Sequence, residues 1–209
     1  MKIKHCPNYR CLLEQKKRRG WTVFLQRDNR VYPAENFRRD WVAYKYGFGS
    51  ACTEYWLGTE AVHQLTQPSP QTLRLAATNK QDYWETLPIE HRWALWSTFS
   101  VASESTGYQL LVDGYQGRST MGDVLVQHHN LSGMKFSTID RDNDGLEGSC
   151  ALDVDHRGGW WYKHCSRVFP TTFHRFLGTD YWTPGDRGDY VYLQQMRMMI
   201  RPQNFPTCH

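Results

Sequence analysis

The sequence predicts an α+β fold in which an antiparallel sheet packs against a few short helices. Runs with strand character follow one another without regular helices between them, which favours antiparallel pairing. Only two short stretches have the spacing of an amphipathic helix. From about Gly122 to Asp189, periodicity is weak and Gly, Asp, His and Trp dominate, which predicts a loop-rich C-terminal subdomain.

The first predicted element is a β-rich run over Gly20–Arg27. The next segment changes period. Phe37, Trp41 and Tyr44 are spaced i, i+4 and i+7, which predicts one apolar stripe of a short helix, and Gly47 stands where a C-terminal cap belongs. A buried core face explains these aromatic residues better than a functional aromatic box does.

A second short helix is predicted over Glu60–Leu65. Further strands are predicted where β-rich runs lie between Gly, Pro and Asn/Asp turn signals. They cover Thr72–Asn79, His91–Ala102, Tyr108–Tyr115 and Tyr190–Ile200. Together with the first run, these strands supply the predicted sheet.

The composition is that of a folded protein. Of 209 residues, 14% are aromatic and 22% are charged, whereas disordered chains lack aromatic residues and carry excess charge. The mean hydropathy is −0.69, and no apolar run is long enough to predict a membrane span. A net charge of +4 without a nucleic-acid-binding motif argues against DNA or RNA as a partner.

Six widely spaced cysteines predict disulfides. No two of them form a CxxC pair, which argues against a structural zinc site or a thioredoxin-like motif. They are Cys6, Cys11, Cys52, Cys150, Cys165 and Cys208. An even number at wide spacing favours three disulfides and an oxidising compartment. The first residues lack the apolar run of a signal peptide, so either the sequence begins after one or the protein is not secreted.

The segment Asp140–Cys150, here called the acidic loop, has the chemistry of a calcium site. Carboxylates at Asp140, Asp142 and Asp144, with an Asn and two glycines, can turn oxygen ligands towards a hard cation. Its start resembles an EF-hand, but Ala151 occupies the position of the required bidentate Glu, so an EF-hand is excluded. The alternative is a surface turn that binds nothing, because the same residues are common turn formers.

Eight motifs in a fixed order carry a family resemblance. They are Gly20–Arg27, Phe37–Trp41, Tyr44–Gly49, Glu54–Glu60, Val112–Tyr115, Phe136–Asp144, Gly159–Tyr162 with Cys165, and Ile200–Pro202. With them the chain resembles the fibrinogen C-terminal domain family, which includes fibrinogen chains, ficolins, tachylectins, angiopoietins and tenascins. The resemblance implies a fibrinogen C-terminal-like fold and a secreted, calcium-dependent recognition domain.

The resemblance also implies a division of the chain into subdomains. Residues 1–19 would be a reduced remnant of the N-terminal subdomain, in which Cys6 and Cys11 can pair. Residues 20–122 with 190–205 would form the central sheet subdomain, and 123–189 the loop-rich subdomain that binds calcium and ligand. By elimination Cys52 would pair with Cys208.

Calcium ligands and one disulfide follow from the same resemblance. The implied ligands are the side chains of Asp142 and Asp144 and the backbone carbonyls of Leu146 and Gly148. Asp140 would be a neighbour of the cation and not a ligand. The family pairs Cys150 with Cys165, which would clamp the acidic loop against the Trp160–Trp161 segment.

A ligand pocket is implied beside this disulfide. In ficolin-like lectins the acetyl group of a sugar enters an aromatic pocket, and a cis peptide joins the second cysteine to the residue before it, here His164. The residues predicted to bind ligand are therefore His164, Cys165, Tyr162, Trp161 and Tyr181. Considered without the resemblance, His164 is more often an ordinary histidine, and Trp161 is equally consistent with a core position.

Several segments depart from the lectin pattern. Ser166 stands where lectin members usually carry His, and Arg167–His174 replaces an Asn-Leu-Asn-Gly stretch. A later pocket segment is shortened, and Tyr181 or Trp182 would have to substitute there. The loop after Cys150 is longer than usual and holds Asp153, Asp155 and His156. One of its carboxylates could receive a cationic peptide end, as in fibrinogen, although a solvated loop is the plainer interpretation.

Two functions remain open at this point. The first is a secreted calcium-dependent lectin for acetylated or anionic glycans on microbial or host surfaces, acting in innate immune pattern recognition as part of an oligomer. The second is a protein-interaction domain of the angiopoietin or tenascin type that binds a receptor or matrix protein. An enzyme is not expected, because the sequence has no GxSxG, HExxH or phosphate-binding glycine motif.

Overall fold

The computed structural model describes residues 20–79, 89–127, 130–152, 158–173, 177–179 and 190–205. Within these ranges the helices are α1 (Trp41–Tyr46), α2 (Thr59–Thr66) and a 3-10 turn (Glu104–Thr106). The strands are β1 (Thr22–Asp28), β2 (Phe48–Gly49), β3 (Tyr55–Trp56), β4 (Gln71–Asn79), β5 (His91–Val101), β6 (Leu110–Tyr115), β7 (Val168–Phe169), β8 (Gly178–Thr179) and β9 (Val191–Pro202). No helix in these ranges is long and apolar enough to cross a membrane.

The strands form an antiparallel sheet with β9 at its centre. The order is β2-β3-β1-β9-β4-β5-β6, and β7 and β8 extend the sheet from the start of β9. In the central register, Met199 lies between Val23 of β1 and Arg74 of β4. The last strand in the chain therefore joins the central sheet to the β7–β8 pair.

The predicted α+β class is confirmed, and the predicted strands and both helices are present. One detail of the prediction is wrong, because Phe37 does not lie on α1. The helix begins at Trp41, where the side chain of Asp40 caps it by accepting a hydrogen bond from the Ala43 N–H. Phe37 is buried in the preceding loop. Gly47 ends the helix with φ +88°, as its place in the sequence indicates.

An aromatic cluster fills the space between the helices and the inner face of the sheet. Phe136 is at its centre and lies within 6.2 Å, centroid to centroid, of four other rings. These rings belong to Trp41, Tyr44, Trp56 and Trp161. Aromatic side chains bury large apolar areas and dominate core energetics. Since Phe136 directly precedes the segment that leads into the acidic loop, the core fixes where that loop starts.

A buried ion pair connects the sheet to the C-terminal loops. The Arg27 Nε lies 2.9 Å from Glu54 Oε1, and both side chains are fully buried. The remaining guanidinium nitrogens of Arg27 donate to the carbonyls of Pro170 and Thr172. Glu54 also accepts hydrogen bonds from the backbone N–H groups of Asp28 and Glu35. Burial lowers the pKa of Arg27, and the charge of Glu54 opposes that shift.

We expect Glu54→Ala to lower the free energy of unfolding by about 3 to 5 kcal/mol, because it leaves Arg27 as an uncompensated buried charge. Urea unfolding followed by tryptophan fluorescence measures the change. The matched control is Glu35→Ala, which removes a partly exposed ion pair with Arg39 and should cost about 1 kcal/mol or less. Equal effects of the two substitutions would contradict the structural role of the Arg27–Glu54 pair.

The acidic loop and the neighbouring disulfide

The acidic loop is attached to the core through the segment that precedes it and through Asn143. Ser137 and Trp160 form a two-way backbone bridge with hydrogen bonds of 2.9 and 3.0 Å. The Asn143 side chain donates to the carbonyl of Phe136, and its backbone N–H donates to Ser137 Oγ. These hydrogen bonds fix the backbone at Asn143, and they thereby restrict the positions of its neighbours Asp142 and Asp144.

Asp140 binds the N-terminus of α1 and not the rest of the loop. Its Oδ1 accepts hydrogen bonds from the Trp41 N–H at 2.8 Å and from Thr138 Oγ1 at 2.7 Å. Burial opposes ionisation, but these hydrogen bonds outweigh it and lower the pKa of Asp140. These hydrogen bonds tie the loop to the helix.

Asp144 is the buried carboxylate of the loop, with 9% of its surface exposed. One oxygen accepts from the Leu146 N–H at 3.0 Å and the other from the Cys150 N–H at 2.8 Å. Asp142 is exposed and accepts from the Asp144 N–H. The backbone turns at Gly145 and Gly148 with φ +77° and +100°, where a residue with a side chain would be strained.

The donor set of the loop fits a hard cation. It offers carboxylate and carbonyl oxygens, and Ser149 Oγ is buried without a hydrogen-bond partner. No cationic side chain in the described part of the chain forms an ion pair with the nearly buried Asp144. Clusters of three or more His, Cys, Asp or Glu are absent from the same ranges. A cation here would therefore depend on Asp142, Asp144 and backbone oxygens.

The Cys150–Cys165 disulfide connects the loop to an exposed turn. Its sulfur atoms are bonded, and the two Cα atoms are 5.1 Å apart. His164, Cys165 and Ser166 all have left-handed backbone conformations, with φ of 47°, 56° and 63°. Left-handed φ values are uncommon for residues other than glycine, and three in succession mark a strained turn. The His164 side chain is exposed at this turn.

The expected cis peptide between His164 and Cys165 is absent, and the bond is trans. Among the described residues the cis peptide is Tyr32–Pro33. The chain reverses direction at His164 through the left-handed φ angles of three residues instead. Cys52 is also disulfide-bonded, but Cys6, Cys11 and Cys208 lie outside the described residues, and the predicted pairings that involve them stay predictions.

Two of the residues predicted to bind ligand are core residues in this structure. Trp161 is fully buried and donates from Nε1 to the Tyr108 carbonyl. Tyr162 is 2% exposed and donates its hydroxyl hydrogen to the Gly158 carbonyl. Neither ring offers a face to a ligand, so His164 and Cys165 are the predicted ligand residues that stay in the candidate pocket within the described part of the chain. Tyr181 and Trp182 lie outside the described residues, as do Asp153, Asp155 and His156.

A cavity of about 280 Å³, here called the side pocket, was not predicted from the sequence. Its walls are residues 34–38 from the loop before α1 and residues 171–173 after β7. Buried Phe37 and Phe173, which is 53% exposed, both line it. The one signal in the sequence was the departure of Arg167–His174 from the lectin pattern, since this segment supplies one wall.

The sequence profile described as "Fibrinogen beta and gamma chains, C-terminal globular domain" matches residues 5–203. The chain belongs to this family. It is 40% identical to chicken (Gallus gallus) tenascin over 192 residues, 34% identical to ryncolin-4 of Cerberus rynchops over 194, and 36% identical to bovine (Bos taurus) angiopoietin-4 over 190. These matches cover 88 to 90% of the chain. They span only 9%, 51% and 35% of the respective relatives.

Solved structures agree with the fold. The fibrinogen-like globe domain of human ANGPTL2 has a TM-score of 0.66 at 29% identity, covering 97% of this chain and 84% of that one. Lamprey fibrin D-dimer, complexed with the peptide Gly-His-Arg-Pro-amide, has a TM-score of 0.68 at 30% identity, covering 90% and 63%. Fibrinogen-related domains are generally binding domains and not enzymes. Of the relatives, ryncolin, angiopoietin and tenascin are secreted extracellular proteins.

We expect Asp140→Ala to destabilise the junction between the loop and α1 by about 1 kcal/mol at pH 7, a modest value because the carboxylate is exposed. The pKa of Asp140 is lower in the folded state than its ordinary value of 3.8. Its contribution is thus present above that value and lost as the pH falls through the folded pKa.

Urea unfolding of wild type and variant at pH 7 and at pH 2.5 tests this expectation. The difference in free energy of unfolding between wild type and variant should be smaller at pH 2.5 than at pH 7. Asp113→Ala, at an exposed position on the sheet edge, serves as the control for removal of one aspartate. A difference that is the same at both pH values would show that the carboxylate charge of Asp140 contributes nothing.

Proposed function

We propose that the chain is a calcium-dependent lectin domain that binds acetylated or anionic glycans and acts in extracellular pattern recognition. One observation carries this proposal. Asp144 accepts a hydrogen bond from Cys150, whose disulfide partner Cys165 adjoins the exposed His164. A cation bound at Asp144 would thus be linked to the exposed turn at His164 through one hydrogen bond and one disulfide.

In this proposal calcium orders the turn and does not touch the glycan. The ligands are Asp142 and Asp144 through their carboxylates and Leu146 and Gly148 through their carbonyls. Calcium supplies the positive charge that balances the nearly buried Asp144. The loop then holds Cys150 in place, and the disulfide maintains the strained His164–Ser166 turn.

His164 is the residue of this chain proposed to contact the glycan. It is exposed, and its imidazole can donate or accept a hydrogen bond at an amide or hydroxyl group. A single sugar site of this kind binds weakly, so useful avidity requires several copies of the domain in one assembly.

A second candidate function is protein binding, and the side pocket favours it. The segment that replaces the lectin Asn-Leu-Asn-Gly stretch forms a wall of this pocket, and Phe173 is exposed at its rim. Tyr32, 96% exposed, lies on the same loop as the opposite wall. Exposed aromatic residues beside an apolar pocket are typical anchors of a protein interface. The partner would be a receptor or matrix protein.

We expect calcium to raise the thermal stability of the wild type, because a ligand that binds only the native state stabilises it. At a calcium concentration 100-fold above Kd the gain is about 2.7 kcal/mol. Asp144→Asn and Asp142→Asn should abolish the calcium-dependent rise in Tm, whereas Asp140→Asn should retain it. A calcium response that survives in both of the first two variants would refute the ligand assignment.

Glycan binding should require both calcium and His164. Retention on N-acetylated sugar resin, compared with the non-acetylated resin, is expected with calcium and lost with EDTA. His164→Ala should weaken retention about tenfold or more while leaving the calcium-dependent rise in Tm intact. Lys163→Ala, next to it in the chain, is the control. Unchanged retention in His164→Ala would remove this residue from the site, and no retention of the calcium-stabilised wild type would favour the protein-binding alternative.

A further inference from the structure

The sequence contains one acceptor motif for asparagine-linked glycosylation. Asn130, Leu131 and Ser132 fit the pattern Asn-x-Ser/Thr, in which x is any residue except proline. No other asparagine of the chain has Ser or Thr two positions after it. A three-residue pattern also arises by chance, so its use depends on where the fold places the acceptor side chain.

The motif begins the segment 130–134, here called the Asn130 turn, which lies along β6. This strand is the last one in the order of the sheet. Leu110 of β6 exchanges backbone hydrogen bonds with the turn in both directions, at 2.7 and 2.9 Å. The N–H of Val112 donates to Ser132 Oγ at 3.1 Å. The turn therefore covers the edge of β6 as far as Val112.

The nitrogen that would receive a glycan is Nδ2 of Asn130. This side chain is exposed, and its Oδ1 accepts a hydrogen bond from the Ser132 N–H at 3.0 Å. Nδ2 donates no hydrogen bond to any residue that the structure describes. The side chain is thus fixed through its oxygen, and its nitrogen stays available for modification.

The surroundings of Asn130 have room for a bulky group. A Cβ atom placed at Gly133 would meet no described atom within 4 Å. Leu131, by contrast, is fully buried, and its N–H donates to the Leu125 carbonyl. The middle residue of the motif therefore anchors the turn, while the acceptor residue before it is exposed. This is the placement that a large, hydrophilic glycan requires.

We propose that Asn130 carries an N-linked oligosaccharide and that this oligosaccharide shields the edge of the sheet at β6. The sugar donor is a lipid-linked diphosphate oligosaccharide of the secretory pathway. In the transfer, the anomeric carbon forms a bond to Nδ2, and its bond to the diphosphate oxygen breaks. The lipid diphosphate leaves with that electron pair, and Nδ2 releases one proton, so nothing is oxidised or reduced.

This transfer requires passage through the secretory pathway, as does the extracellular setting of the proposed function. The Cys150–Cys165 disulfide is typical of that oxidising route. The relatives ryncolin, angiopoietin and tenascin are secreted as well. The motif shares no residue with the acidic loop or with the side pocket, so a domain that fails as a lectin can still carry the glycan.

The edge at β6 needs protection because it combines backbone groups with an exposed apolar side chain. Leu111 is 44% exposed and directly precedes Val112, which binds the motif. Farther along the strand, the Gly114 N–H is bound by the side chain of Asp113 and not by another strand. Edge strands with exposed apolar residues promote association with other chains. A hydrated glycan on the adjacent turn hinders such contacts.

The first experiment tests the modification against the alternative that the motif serves the turn alone. The whole chain, behind a secretory leader, is expressed in animal cells and treated with peptide-N-glycosidase. Wild type and Ser132→Thr should lose mass, whereas Asn130→Asp and Ser132→Ala should not change. Asn130→Asp is the matched variant, because it keeps the oxygen that accepts from the Ser132 N–H and lacks the amide nitrogen.

Mass spectrometry of the peptide that contains residue 130 locates the modification, because the enzyme converts a glycosylated asparagine to aspartate. Translation with microsomal membranes repeats the comparison if little protein is secreted. The proposal is overturned if wild type carries no glycan in either system, or if the glycan persists in Asn130→Asp.

The second experiment tests the shielding of the edge. Enzymatic removal of the glycan gives the same covalent chain as Asn130→Asp, so the acceptor of the turn is retained and the two forms differ in the glycan alone. Light scattering below Tm should rise faster without the glycan. Leu111→Ser should reduce that rise, whereas Val42→Ser, at an exposed position of α1, should not. Equal scattering with and without the glycan would overturn the shielding role.

Discussion

The buried Arg27–Glu54 pair is the interaction that fixes the position of the C-terminal loops relative to the central sheet. Arg27 belongs to β1, next to the central strand β9, and it donates to the carbonyls of Pro170 and Thr172 in the C-terminal loops. Glu54 in turn receives the backbone of Glu35. Two buried charges are tolerated only when their hydrogen bonds are satisfied. This requirement positions both walls of the side pocket relative to the sheet.

The aromatic cluster performs the same task for the acidic loop. Phe136 is enclosed by four rings, and the backbone that follows it is bridged to Trp160. The loop itself has few apolar contacts, since most of its residues are exposed. Asp140 and Asn143 bind backbone groups of Trp41 and Phe136 outside the loop. Asp144 binds the backbone N–H of Cys150 at the end of the loop. A loop whose carboxylates are already oriented by the protein loses less entropy when it binds a cation.

The two faces of the sheet present different chemistry. The inner side carries the helices, the acidic loop and the disulfide, and there the strained turn at His164 is the feature that suggests recognition of a small group. The outer side carries arginines stacked on tryptophans.

The sequence alone determined the fold class, the family and the main elements, because alternating strands, the α1 stripe with its Gly47 cap and the acidic loop are local patterns with a local physical cause. Tertiary structure decided which residues face solvent. Trp161 and Tyr162 were predicted to bind ligand, but in the folded domain both are buried in the core. The side pocket depends on contacts between segments more than 100 residues apart, and no short stretch of sequence specifies it.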